Sequence, residues 1–306
     1  VARIINADNT VKNCTNSGNI IDNSARTPAD PISKLDYNRE IYVSGVSAIQ
    51  ASSIIENCSN SGSITLGTNV KIVYVGGVVG KTNNPLTVLS NLTNSGQIKS
   101  TKGVRYLYMG GVIGHCSVYT ISDLINEGVV NVTCIENNKD NTTMDLGGVI
   151  GKFDNSKAGT IDGTSNYNIV NKARVDFSYT TLIEYVYLSA GGVIGRLSAP
   201  ATVKYIKNEA DLVKFGANSG TNKNLTTYCG GIIGVASKAG TTIENCINSA
   251  RVSNVSRGSL LPDDSSLPCK VGQGFFCGGI AAYIMGEADN RSAIKYCQNT
   301  APDGDN

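Results

Sequence analysis

The sequence predicts an all-β protein, a right-handed parallel β-solenoid of about seven to eight three-stranded coils, and three observations carry that prediction. The 306-residue chain holds 34 glycines and no tryptophan and is crowded with Asn, Ser, Thr, Val and Ile, a composition of short strands and turns rather than helices. A Gly-Gly motif recurs at "VSGVSA" (43–48), "VGGVVG" (75–80), "MGGVIG" (109–114), "LGGVIG" (146–151), "AGGVIG" (190–195), "CGGIIG" (229–234) and "CGGIAA" (277–282). A second motif alternates with it: "NCTNSGNI" (13–20), "NCSNSGSI" from 57, "NLTNSGQI" from 91, "DLINEGVV" from 123, "NIVNKARV" from 168, "YIKNEADL" from 205, "NCINSARV" from 245 and the broken "YCQNTAPD" from 296. A repeat too short to be an independent domain buries its apolar side only by stacking on its neighbours. Right-handed winding follows from the general hand of parallel crossovers.

The first element of each unit is the glycine motif. Its second glycine never varies: Gly45, Gly77, Gly111, Gly148, Gly192, Gly231 and Gly279 stand 32, 34, 37, 44, 39 and 48 residues apart. In "YVGGVVG" (74–80) both Val78 and Val79 are apolar, where a strand with one wet face should alternate. The expectation is that the glycines bend the strand so that both valines turn inward at a corner. The competing arrangement leaves the Tyr and Val columns as an outward apolar stripe.

Two columns flank this corner. Before the glycines stand Tyr42, Tyr74, Tyr108, Asp145, Ser189, Tyr228 and Phe276; after them stand Lys81, His115, Lys152, Arg196 and Val235. Lys81, His115, Lys152 and Arg196 would lie about 5 Å apart on successive coils. With Tyr42, Tyr74, Tyr108 and Tyr228 they form the candidate ligand or partner stripe, suited to an anionic polymer such as a uronic or sulfated glycan. The plainer readings are an ordinary solvated face for the basic column and cover for an apolar column for the tyrosines.

The second element is built on an asparagine present in all eight copies: Asn16, Asn60, Asn94, Asn126, Asn171, Asn208, Asn248 and Asn299. This residue is expected to take a left-handed or turn conformation and to hydrogen-bond along the stack. Together with the invariant glycines it makes the structural ladder. Two residues earlier stands an apolar column, Cys14, Cys58, Leu92, Leu124, Ile169, Ile206, Cys246 and Cys297, expected to point inward. Two residues later only Gly or Ala occurs, as a crowded corner requires. Four residues later come Ile20, Ile64, Ile98, Val130, Val175, Leu212 and Val252, the inward positions of the last strand. Length variation falls after this point. Segments such as "DNSARTPADPISKLDYNRE" (22–40) and "SNVSRGSLLPDDSSLPCKVGQG" (253–274) read as loops at one corner. Seven coils at about 4.8 Å make a rod core roughly 34 Å long.

Composition excludes several functions. Charged residues make up 16% with a net charge of +2, which argues against nucleic acid as a partner. No run of 18 apolar residues occurs, so no transmembrane segment is expected. The start "VARIINADNT" is no signal peptide, so an exported protein would have lost its leader. No CxxC or Cys-His spacing supports zinc. The nine cysteines read mainly as small hydrophobes in the Leu/Ile column, although Cys229 and Cys277 stack in one column and could pair if the stacking departs from ideal. "VGGVVGKT" (75–82) approaches a phosphate loop but has Val75 where that pattern needs glycine. One histidine, His115, supplies no Ser-His-Asp or Cys-His set. The carboxylates Asp140, Asp145, Asp154 and Asp162 around Lys152 have no recognisable spacing for polysaccharide cleavage. No catalytic residue, cofactor or metal ligand is therefore assigned.

The pairing of "GGVVG" with "IENCSNSGSI" resembles the GLUG-type repeats of bacterial surface and secreted proteins, with Val or Ile for the usual Leu and Cys in four of eight Asn-Cys sites. The resemblance implies an exported, adhesin-like array, extracellular or at the cell surface, within a longer polypeptide. The expected organisation is one solenoid domain over 1–306, a fragment of a longer array or a subunit whose ends meet neighbours. Expected partners are other proteins, further copies joined end to end, and surface glycans.

Overall fold

The computed structural model describes residues 2–4, 10–22, 40–50, 54–67, 72–101, 104, 106–118, 120–134, 142–179, 185–217, 224–256 and 274–301, with no helix among them. Of the segments read as loops, 22–40 and 253–274, the ends belong to the strands Ile20–Asp22, Glu40–Ser44, Arg251–Ser256 and Gly274–Gly278; 23–39 and 257–273 lie outside the described residues, as do Asp140 and Cys269. Residues 106–134 illustrate one coil. Tyr106–Gly110 lies on face 1, Ile113–Cys116 on face 2, Thr120–Ile121 and Leu124–Asn126 on face 3, and Val130–Cys134 on face 4. Each pairs in parallel with its counterpart in the next coil, so the chain winds as a parallel β-solenoid. Faces 1, 2 and 4 are sheets of seven, eight and seven strands, and face 3 has fourteen. Face 2 gains its eighth strand from Ala2–Ile4, which pairs with Ser47–Gln50 as a degenerate first unit.

The coil thus has four faces, where the sequence suggested three strands. The glycine motif that reads as one strand is divided by a kink into two. At the kink, successive amides share one carbonyl: Val112 N and Ile113 N both donate to Val149 O at 2.9 Å. The same double donation recurs from Val78 and Val79 to Val112 O and from Val149 and Ile150 to Val193 O. Two residues opposite one is the signature of a β-bulge, and a bulge resets the inward–outward alternation. Val78, Val79, Val112, Ile113, Val149 and Ile150 are all fully buried in one apolar cluster, so both valines face inward as expected.

The interior is divided in two. One cluster, including Val79, Leu92, Ile113, Leu124 and Phe153, fills the space between faces 2 and 3. The other, including Val75, Ile98, Met109, Val130 and Leu146, fills the space between faces 4 and 1. Between them the two invariant columns meet. A methyl group on Gly111 would lie 2.3 Å from Asn126 Cγ, and one on Gly77 would lie 2.3 Å from Asn94 Cγ. None of the paired glycines has a positive φ, so what these positions exclude is side-chain volume, not a particular backbone.

The asparagines form an unbroken chain. Nδ2 of Asn16 donates to Asn60 Oδ1 at 2.7 Å, and the pattern continues through Asn94, Asn126, Asn171, Asn208 and Asn248 to Asn299. The second N–H of Asn126 goes to Gly128 O at 2.8 Å, and Asn94 and Asn171 do likewise two residues on. Asn60 through Asn248 are at most 1% exposed, and the ladder satisfies groups whose burial would otherwise be costly.

Two expectations need correction. The ladder asparagines do not take the left-handed conformation; the residue three positions earlier does, with φ near +50° at Asn57, Asn91, Asp123, Tyr205, Asn245 and Tyr296. Most of these are Asn or Asp, which tolerate that region best. In the coil of Asn171 the inserted "GTSNY" (163–167) shifts it to Thr164 and Tyr167. The inward position of face 4 in the sixth unit is Val213, not Leu212, because Val213 pairs with both Val175 and Val252; one extra residue precedes it.

Candidate functional site: a fissure between faces 1 and 2

Because the chain turns sharply at the glycine pair, the outer sides of faces 1 and 2 close on each other. A methyl on Gly114 of face 2 would stand 2.7 Å from Val75 N of face 1, and one on Gly151 would stand 2.7 Å from Met109 N. The outward side chains beside this contact share a narrow fissure along the rod. It brings together both predicted columns. Lys81 is in register with His115, His115 with Lys152, and Lys152 with Arg196. Tyr42, Tyr74 and Tyr108 are in register on the facing wall, followed by Asp145, Ser189 and Tyr228.

The two walls pack on each other. Tyr42 stacks on Tyr74 at 5.2 Å and Tyr74 on Tyr108 at 5.1 Å between ring centroids. Lys81 Nζ sits 4.1 Å from the Tyr74 ring centre, Lys152 Nζ 5.1 Å from that of Tyr108, and the Arg196 guanidinium 4.6 Å from that of Tyr187, within cation–π range. His115 meets Tyr74 and Tyr108 edge-on. The stripe is consequently far less open than strand alternation suggests: Tyr74, His115 and Arg196 are buried, and the Lys81 and Lys152 side chains are 16% and 17% exposed. Tyr42, Tyr108 and Tyr228 are half-buried.

Carboxylates that the motif reading did not assign neutralise the basic column. Glu40 accepts a hydrogen bond from the Tyr42 hydroxyl and pairs with Lys81 at 3.6 Å. Asp154 pairs with Lys152 at 2.9 Å and lies 4.0 Å from His115 Nε2. Arg196 Nε donates to Asp145 Oδ1 at 2.6 Å, both residues being buried. Asp145 interrupts the tyrosine column one coil before Arg196 enters the facing one, the one signal in the sequence that could have revealed this pair. Of the carboxylates weighed for catalysis, Asp145 and Asp154 are thus engaged as counterions, while Asp162 caps its own turn by accepting from Thr164 N at 2.8 Å.

Burial sets the ionisation of this fissure. His115 is pushed down to about 3 by desolvation, reinforced by Lys152 and Lys81, so its ring is neutral under ordinary conditions. Burial raises the Tyr74 and Tyr108 hydroxyls far above their usual value, and Tyr228 is raised to about 12, first by burial and then by Tyr187. Burial likewise raises the Asp145 carboxyl, against the pull of Arg196. Three buried atoms here, His115 Nδ1, Asp145 Oδ2 and Arg196 Nη2, have no protein hydrogen-bond partner.

Other sequence candidates are placed as follows. Lys81 of "VGGVVGKT" belongs to the strand Val79–Thr82, which leads into a turn rather than a helix. Cys116 lies in the core while its neighbour His115 faces the fissure. Cys229 and Cys277 are register partners and both are free thiols. Among the described residues no group of three His, Cys, Asp or Glu side chains could hold a metal ion, and no helix is long and apolar enough to cross a membrane. No family model, curated protein or solved structure matches the chain.

Proposed function

We propose that this chain is a non-enzymatic structural or adhesive module of an exported, surface-located protein, a rod that acts through its shape and its ends. The observation carrying this reading is the unbroken stack: the parallel sheets run through all the described coils, and the asparagine ladder continues from Asn16 to Asn299. Ile294 is 46% exposed although its register partner one coil back, Ile243, is 0% exposed. Tyr283 is 41% exposed although its partner Val235 is 0% exposed.

The ladder also has a direction. Each rung donates towards the C-terminal end, so one end offers an acceptor and the other a donor. Ends of this kind join head to tail, and a heterologous contact that does not close yields a filament. Sedimentation velocity over a range of concentrations tests the reading. The expected result is reversible association that Ile294→Lys weakens. A species that stays monomeric throughout, with the variant indistinguishable, would remove end-to-end stacking from the proposal.

A second reading is recognition of an anionic glycan along the fissure, favoured by the residual exposure of Lys81 and Lys152 on neighbouring sides of His115. A panel of uronic and sulfated glycans separates the two. Binding abolished by Lys81→Ala with Lys152→Ala supports the glycan reading, and binding unaffected by that pair rejects it.

A further inference from the structure

Six of the nine cysteines stand as three stacked pairs, each joining an outermost described coil to the coil beside it. Cys14 and Cys58 occupy the inward column two residues before the ladder asparagine on the first two rungs, one residue ahead of the register pair Thr15 and Ser59. Cys246 and Cys297 occupy that column on the last two rungs, one residue ahead of Ile247 and Gln298. Cys229 and Cys277 are register partners just before the glycine pair, again between the last two described coils. Through the middle of the rod the same columns hold Leu92, Leu124, Ile169 and Ile206, or Met109, Leu146 and Ala190.

In-register neighbours on parallel strands lie about 4.8 Å apart, inside the Cα span that a disulfide bridges. Strand register sets the members of each pair side by side on neighbouring coils. Cys246 N donates to Cys297 Sγ at 3.4 Å, and the thiols of Cys14, Cys58, Cys246 and Cys297 each donate to the backbone carbonyl two residues earlier. Each pair is also asymmetric: Cys58, Cys229 and Cys246 are buried, whereas Cys14 and Cys297 are partly exposed and Cys277 is exposed. The outer thiols Cys277 and Cys297 are pushed down to about 7, chiefly by the adjoining inner thiols, which favours a thiolate where a reagent can reach it.

We propose that these pairs are redox-modification sites that close into inter-coil disulfides and staple the outermost described coils to their neighbours. The oxidant is a small disulfide such as oxidised glutathione. The outer thiolate attacks it, forming a mixed disulfide and displacing one glutathione thiolate. The inner thiol then loses its proton, and its sulfur attacks the protein-side sulfur of the mixed disulfide. The inter-coil S–S bond closes and the second glutathione leaves as thiolate. Two protein thiols are oxidised and one small disulfide is reduced to two thiols, so the exchange balances. Cys116, whose register partner is Phe153, has no partner of this kind and serves as an internal control.

The test uses the native wild-type chain, reduced, desalted and incubated with oxidised glutathione, then unfolded, alkylated and mapped as peptides. The expected links are Cys14–Cys58, Cys229–Cys277 and Cys246–Cys297, with Cys116 alkylated. Six alkylated cysteines, or links running mainly to Cys116, Cys134 or Cys269, would overturn the proposal. Hydrogen exchange over 274–299 should slow roughly tenfold on oxidation, and the double variant Cys277→Ser with Cys297→Ser should lose that slowing. Exchange unchanged by formation of the bonds would overturn the stapling role.

Discussion

The asparagine at the centre of each rung and the glycine it touches are the residues on which the coil depends. Asn126 donates to Asn171 and to Gly128 and accepts from Asn94, all while fully buried. Asn126→Ala should lower unfolding free energy by about 2–4 kcal/mol, because it strands a donor and acceptors in the interior. Asn299→Ala, at an exposed rung, should cost less than about 1 kcal/mol. Urea unfolding distinguishes this from a ladder without energetic weight, in which both substitutions would cost the same. Gly111→Ala should cost about 3 kcal/mol or more, since its methyl would lie 2.0 Å from Gly148 O as well as against Asn126. Gly286→Ala, with nothing closer than Ser292 N at 3.8 Å, is the neutral comparison. Both columns were legible as invariant in the sequence, but their meeting was not. That contact depends on the width of the coil, which periodicity does not encode. The misplaced left-handed residue has a similar origin: Asn serves in this repeat both as a turn former, at Asn57 and Asn91, and as a ladder donor three residues later.

The strands flanking the glycine kink carry the fissure, and their energetics differ from those of an open surface. Asp145→Ala should destabilise by about 3–5 kcal/mol, since Arg196 would be left buried and unpaired. Asp145→Leu combined with Arg196→Met should recover most of that loss, and a double-mutant cycle measures the coupling. His115 adds a pH dependence of known sign. The unfolded chain takes up its proton near the ordinary value of 6.5, whereas the folded chain resists protonation down to about 3. Between those values the unfolded state binds more protons, so stability falls as pH drops, by up to about 1.4 kcal/mol per pH unit. The difference between wild type and His115→Phe should change with pH through that window and become constant above it. A pH-independent difference would show that the imidazole is not held neutral. Sequence columns correctly aligned Lys81, His115, Lys152 and Arg196, and likewise the tyrosines. They could not show that a bulge folds one outward face against the other, so side chains that alternate as exposed are half or wholly buried.

As a whole, the molecule is one stack in which local repetition determines nearly everything. Coil number and inward columns were readable because each residue type recurs at one height of the coil. The fourth face was not, because the bulge falls inside a run of apolar residues that reads as a single strand. Stability in such a stack is a sum over neighbouring coils, which makes the ends both its weakest part and its proposed contact surface. Coil-resolved hydrogen exchange of the native chain, measured at low and high protein concentration, tests this most directly. Amides in the strands between 72 and 217 should be strongly protected at both concentrations. Those in 10–22 and 274–299 should exchange faster when dilute and gain protection when concentrated. Concentration-dependent protection confined to the middle coils, or end coils as slow as the centre and indifferent to concentration, would contradict a rod that acts through its ends.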